Sequence, residues 1–204
     1  MENSGDIKQI FTDIFLKNEW GGSESVSGPG SSLEQTRVLI NELPKLFKQY
    51  DIKSILDIPC GDFFWLSNVN LADIDYIGAD IVERIVEDNQ NNYPKFVFLN
   101  MDIITSSLPQ VDLIFCRDCL VHLPYTDIFT AIENIKNSGS KYLLTTSFTD
   151  HDNVDMFIGG WRPINLCKEP FNLPKPIQII NEGCTEDNGI YKDKSMYLWQ
   201  IKDI

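Results

Sequence analysis

Apolar residues at Ile7, Ile10, Phe11, Ile14 and Phe15 recur three and four positions apart, the spacing of one helical face. They predict an amphipathic helix that packs on the core and ends near Asn18. A second stripe, Leu39, Leu43, Leu46, Phe47 and Tyr50, predicts another helix. Ser31 or Ser32 serves as its N-cap, Glu34 and Gln35 stand at capping-box spacing, and Pro44 predicts a kink. Beyond Asp51 the pattern changes. Short apolar runs at 52–58, 75–79, 96–99, 111–116 and 141–147 read as strands, and 81–93 and 124–138 as helices. Pro124 falls at the first position of the second of these helices and Gly139 at its stop. Segments 177–181 and 196–201 read as two last strands, the final one antiparallel. Strand and helix alternating at this spacing imply an α/β fold, a doubly wound, mostly parallel sheet.

Two stretches break the alternation. Residues 18–32 are too rich in Gly and Ser for regular structure, yet carry Trp20 and Glu24. They are expected to form a lid with Trp20 as its apolar plug. Where this loop meets the second helix, an anion site and a capped flexible hinge both fit the residues. Residues 148–176 hold repeated prolines, which forbid a long helix and predict a structured loop over the strand ends. The expected organisation is one domain over 1–204: N-terminal helices and lid to 50, core 51–147, covering loop 148–176, last strands 177–204.

Composition narrows the partners. Apolar residues make up 43% and aromatics 11% of 204 residues, enough for a packed core. A formal charge of −13 and no basic cluster repel polyanions, so no nucleic acid is expected, though Lys168, Lys175 or Lys192 could form a local patch. No apolar run is long enough to insert into a membrane. Five scattered cysteines and no apolar leader give a cytoplasmic expectation. Cys116, Cys119 and His122 lack a fourth ligand, so no metal is expected.

The chain is organised around Ser54-Ile-Leu-Asp-Ile-Pro-Cys-Gly-Asp62, an apolar strand ending in a carboxylate and a glycine turn. Residues 55–62 resemble the first motif of the class I S-adenosylmethionine (SAM) methyltransferases. Asp57 and Gly61 match its acid and central glycine, while Pro59 and Phe63 stand where glycine is frequent. The resemblance extends over 51–147 and implies a Rossmann-like seven-stranded sheet of order 3-2-1-4-5-7-6 with SAM as cofactor. Pro59, Cys60, Gly61 and Asp62 would form the cofactor turn, and Trp20 would cover it. Asp80, 23 positions after Asp57 and followed by Ile81, would accept the ribose hydroxyls. Asn100-Met-Asp102 resembles the third motif, with Asp102 on the adenine amino group and the Ile103 N–H at the ring. Cys116 and Arg117, at the fourth strand end, would lie around the methionine part. The Asp80 spacing fits NAD equally, but the turn lacks GxGxxG, which favours SAM.

For the chemistry, His122 is the best acid/base candidate, with Asp118 four residues earlier to orient its ring, and His151 is a second. Trp161 and Arg162, on a glycine hinge, suit an aromatic wall and a clamp for a substrate anion. Ser27 in the lid is placed with them at the substrate. The reading is methyl transfer to an O or N atom of a small polar or anionic metabolite or sugar derivative. An NAD-dependent reductase or epimerase and a non-catalytic SAM-binding partner subunit are the alternatives. The pattern leaves the oligomeric state open.

Overall fold

The computed structural model describes residues 6–204; the first five positions of the expected domain lie outside the described residues. Helix α1 spans Ile7–Lys17, with Asp6 as its N-cap and Asn18 in the left-handed conformation closing it. Helix α2, Leu33–Gln49, starts on the Ser32 hydroxyl, which accepts from Gln35 N at 3.4 Å, and continues through Pro44. The capping box is only half formed. Gln35 turns its side chain away to Thr185, its amide donating to the Thr185 hydroxyl at 2.8 Å and accepting from Thr185 N at 3.1 Å.

The strands are β1 (Ser54–Asp57), β2 (Asp75–Asp80), β3 (Val97–Asn100), β4 (Leu113–Cys116), β5 (Tyr142–Phe148), β6 (Gln178–Asn181) and β7 (Lys194–Gln200). They form one seven-stranded sheet in the order β3-β2-β1-β4-β5-β7-β6. β1 to β5 run parallel, and β7 inserts antiparallel between β5 and β6. Helix α3 is Glu83–Asn92 and α4 is Tyr125–Asn137, for which Pro124 is the N-cap rather than the first helical residue.

Successive strand residues feed opposite layers, which is why the central strands read as unbroken apolar runs. Leu56 and Ile114 join Ile128, Ala131 and Ile135 of α4 on one face. Ile55, Leu113 and Leu144 join Leu39, Leu43 and Leu46 of α2 on the other. Both layers hold the carboxyl ends of β1, β2 and β4 in register, with Asp57 opposite Gly78 and Phe115. Among the described residues, no helix is long and apolar enough to cross a membrane.

Candidate active site

A cavity opens above the carboxyl ends of β1, β2 and β4. Its floor is the turn after β1. Gly61 has φ of 53° there, and a Cβ on it would run into the Ser27 hydroxyl of the lid. Close backbone approach and positive φ thus both require glycine at 61. Gly61→Ala is expected to push the lid off the turn and weaken ligand binding in this cavity at least tenfold, about 1.4 kcal/mol. Calorimetry on the purified variant, with circular dichroism to confirm its fold, checks this.

The lid is fastened to the same turn. Asp62 accepts from the Ser25 hydroxyl at 2.9 Å and from Val26 N at 3.0 Å. Glu24 accepts from Leu33 N at 3.0 Å, so the chain's own carboxylate fills the α2 N-terminus and the anion-site reading gives way to a cap. Trp20 stacks on His122 with ring centroids 4.9 Å apart and closes the cavity from above. Helix α1 is a roof as well as a core element: Ile7, Phe11 and Phe15 line the cavity, while Ile14 is buried beneath. Sequence reasoning placed that whole stripe on the core, because periodicity reports an apolar face without saying what it covers.

Asp80 accepts from Gly61 N at 3.1 Å and Val82 N at 2.9 Å, joining the ends of β1 and β2. Burial pushes its carboxyl up to about 6, against the lowering pull of those backbone N–H groups. Asp57 is buried, accepts from the Tyr76 hydroxyl at 2.6 Å, and is pushed by burial up to about 8. Pro59, Cys60, Ile81, Asp102 and Ile103 also line the cavity. Asp102 accepts from Ile104 N at 2.9 Å and the Thr105 hydroxyl at 2.7 Å, which holds it at the end of β3.

Cys116 does not line the cavity. Its side chain is fully buried in the α4 layer and its carbonyl accepts from the Thr145 hydroxyl at 2.7 Å. Arg117 lines the cavity but is held behind it. Its guanidinium pairs with Glu182 at 2.7 Å, lies 3.3 Å from Asp118 and donates to the Gly30 carbonyl of the lid at 2.8 Å. Burial acts to lower its pKa, but Glu182 and Asp118 outweigh that and hold the guanidinium firmly charged.

His122, in a 3₁₀ turn after β4, bonds through Nδ1 to the Gly160 carbonyl at 2.6 Å. A carbonyl only accepts, so the neutral ring carries its proton on Nδ1 and a lone pair on Nε2. Burial holds the ring below the ordinary histidine range, favouring this neutral form. Asp118 does not orient the ring. It is taken by Lys194 at 2.6 Å, by Arg117 and by the Thr146 hydroxyl at 3.2 Å. Burial alone would raise its carboxyl; Lys194 and Arg117 hold it well below the carboxylate range.

His151 lies outside the cavity wall, its Nδ1 against Asp193 at 3.0 Å and its ring beside Tyr191. Arg162 is not a clamp. It is buried, and its guanidinium donates to the carbonyls of Val154 at 3.2 Å, Leu120 at 3.0 Å and Leu123 at 2.7 Å. Those bonds fasten the 148–176 loop to the turn that carries His122, leaving no fork for a substrate anion. Trp161 lines a second cavity, which shares Trp20, Ser27, Asp118 and His122 with the first. Lys194, Glu186 and Tyr191 also line it and were missed in the sequence. The signal was present at Lys194, a charge at the head of a largely apolar strand.

No sequence-family model matches the chain, and no characterised protein matches it by sequence. Solved structures do. The N-methyltransferase NodS of Bradyrhizobium japonicum WM9, with S-adenosyl-L-homocysteine, superposes with a TM-score of 0.66 at 15% identity, over 93% of this chain and 97% of that one. The magnesium protoporphyrin IX methyltransferase of Synechocystis PCC 6803, with bound SAM, gives 0.61 at 12% identity over 98% and 99%. The methyltransferase domain of bacterial CtHen1 gives 0.60 at 12% identity over 83% and 100%. With the strand order above, these likenesses establish that the chain has the fold of the class I SAM-dependent methyltransferases.

Proposed function

We propose that the chain is a SAM-dependent methyltransferase acting on an O or N atom of a small polar molecule. The observation that carries this reading is the charge of the first cavity. Asp57, Asp62, Asp80, Asp102 and Asp118 all line it, and its Arg117 is already paired with Glu182. A ligand with a positively charged centre matches such a wall. NAD would bring a pyrophosphate against Asp62, Asp80 and Asp102 with no unpaired cation on that wall among the described residues, which argues against the reductase alternative. Asp80 is the residue to hold ribose hydroxyls, Gly61 lets the backbone approach, and Ile81 and Ile103 offer apolar surface to a base.

SAM supplies a methyl group already activated on a cationic sulfur. The chain's part is to bind, to align the acceptor and to keep water out. Trp20, clasped over His122, excludes water; the Nε2 lone pair of His122 accepts the acceptor's proton. Incubating the protein with methyl-labelled SAM and a small-molecule extract tests the reading. Label passing to a low-mass product supports it; S-adenosylhomocysteine binding without any transfer would support the silent partner subunit instead.

The buried carboxyls also predict a pH dependence. Asp57 and Asp80 are raised from 3.8 to about 8 and about 6. A raised folded value means that their contribution to stability is full below pH 3.8 and is lost as pH rises through those values. The ligand-free protein therefore loses stability between about pH 4 and pH 8 through these groups. A cationic ligand favours their ionised forms, so its stabilising effect grows over the same window and binding releases protons. Asp57→Asn is expected to flatten the ligand-free decline while weakening the ligand. Thermal midpoints across pH, and calorimetry in buffers of different ionisation enthalpy, measure both.

A further inference from the structure

The second cavity adjoins the first through Trp20, Ser27, Asp118 and His122, and its charge can be worked out residue by residue. Arg117 and Lys194 face Asp118 and Glu182 in a network of 2.6–3.7 Å contacts, and these four charges cancel. Lys194 is buried against Asp118 and is not free to meet an anion. What remains on the wall is Glu186 and Asp187, neither of them in an ion pair among the described residues. Gly30 keeps the space beside them open. A Cβ on it would stand 3.3 Å from Glu186 Oε2, 3.5 Å from Lys194 Nζ and 3.8 Å from Asp118 Oδ2.

The other walls are aromatic. Trp161 and Tyr191 meet edge to face at 4.8 Å, and Trp20 stacks on His122. Aromatic faces attract a cation, and more strongly in a partly dry site. His122 is 9% exposed, lines both cavities, and has no partner for Nε2 among the described residues. An unpartnered lone pair on a residue shared by two cavities is suited to take a proton from a group held in either.

We infer that this second cavity binds the methyl acceptor as a protonated amine, with Glu186 and Asp187 matching its charge and the aromatic residues packing around it. The inference rests on the methyltransferase reading for the reaction, though the cation site stands on its own walls. An anionic acceptor would meet two carboxylates that stand outside any ion pair among the described residues, and a neutral one would leave them unmatched. The overall change balances. R–NH₃⁺ and SAM give R–NH₂⁺–CH₃, S-adenosylhomocysteine and one proton. The N–C bond forms, the C–S bond breaks with its pair on sulfur, and the lost N–H proton leaves through His122 Nε2 to water.

The test uses three probes of one shape: 2-phenylethylammonium, 2-phenylethanol and phenylacetate. Each is titrated calorimetrically into the purified protein near neutral pH, with and without S-adenosylhomocysteine. The ammonium probe is expected to bind at least about tenfold tighter than the other two, a 1.4 kcal/mol preference. The double variant Glu186→Gln, Asp187→Asn is expected to lose that preference, while its thermal midpoint and its S-adenosylhomocysteine affinity stay unchanged. Phenylacetate binding best, no probe binding, or an unaltered preference in the double variant would overturn the inference. Ammonium binding that persists while S-adenosylhomocysteine fails to bind would support the cation site and sink the methyltransferase reading, so the two failures are distinct.

Discussion

Glu182→Gln is expected to destabilise the protein by about 3–5 kcal/mol, the cost of leaving a buried charge without its partner. The Arg117 and Glu182 side chains are 4% and 1% exposed and meet at 2.7 Å, so solvent cannot replace the lost carboxylate. Glutamine keeps the volume and one acceptor, which isolates the charge. The Lys194–Asp118 pair alongside cannot compensate, because Asp118 already serves both cations. At about 2–4 °C per kcal/mol for a chain of this size, the thermal midpoint should fall by roughly 10 °C. Replacing both partners by apolar residues of similar volume, Arg117→Met with Glu182→Leu, should recover much of this loss, since it removes both desolvation costs. Denaturant midpoints of the wild type, Arg117→Met, Glu182→Leu and their double variant give the coupling directly. The lid should respond too. Arg117 donates to the Gly30 carbonyl, so Glu182→Gln should raise protease sensitivity in the lid. No coupling between the two sites would remove the network from the account.

His122→Asn is expected to lower kcat by about 10²–10⁴, the usual contribution of a positioned general base. Asparagine keeps a donor for the Gly160 carbonyl, so the turn after β4 and the loop it anchors should survive. It has no lone pair of comparable basicity. S-adenosylhomocysteine affinity should change only a few-fold, because the cofactor wall is carried by Asp57, Gly61 and Asp80. The pH profile separates a base from a mere packing residue. Burial holds His122 below the ordinary histidine value of 6.5, so wild-type activity should persist into mildly acid solution before falling, and the variant should lose that limb. Equal loss of kcat and cofactor affinity would mean that Trp20 stacking, not proton transfer, is what His122 provides.

Much of the fold was legible because both faces of the central strands are covered, which leaves apolar runs such as Leu113–Cys116 with no polar alternation to confuse them. The cofactor turn was legible because Gly61 answers a local backbone requirement. Other features were set by distant parts of the chain. Gly-Gly-Trp-Arg reads as an exposed hinge and clamp, yet Arg162 folds back onto the carbonyls of Leu120 and Leu123. Gln35 stood at capping-box spacing and was drawn off by Thr185, 150 positions away. Asp118 looked like the orienter of His122 until β7 brought Lys194 to it. Gln35 and Asp118 each had a local partner in the sequence and a better one in the fold, and Arg162 found its partners in carbonyls that the fold brought to it.

The central claim is that the first cavity holds a cationic nucleoside cofactor, and titration calorimetry of SAM, S-adenosylhomocysteine and NAD into the wild-type protein tests it most directly. The account predicts saturable one-to-one binding of the first two, with proton release between about pH 4 and pH 8 and weakened binding in Gly61→Ala, and no binding of NAD. Binding of NAD alone would contradict it and make Asp80 the ribose ligand of a dinucleotide.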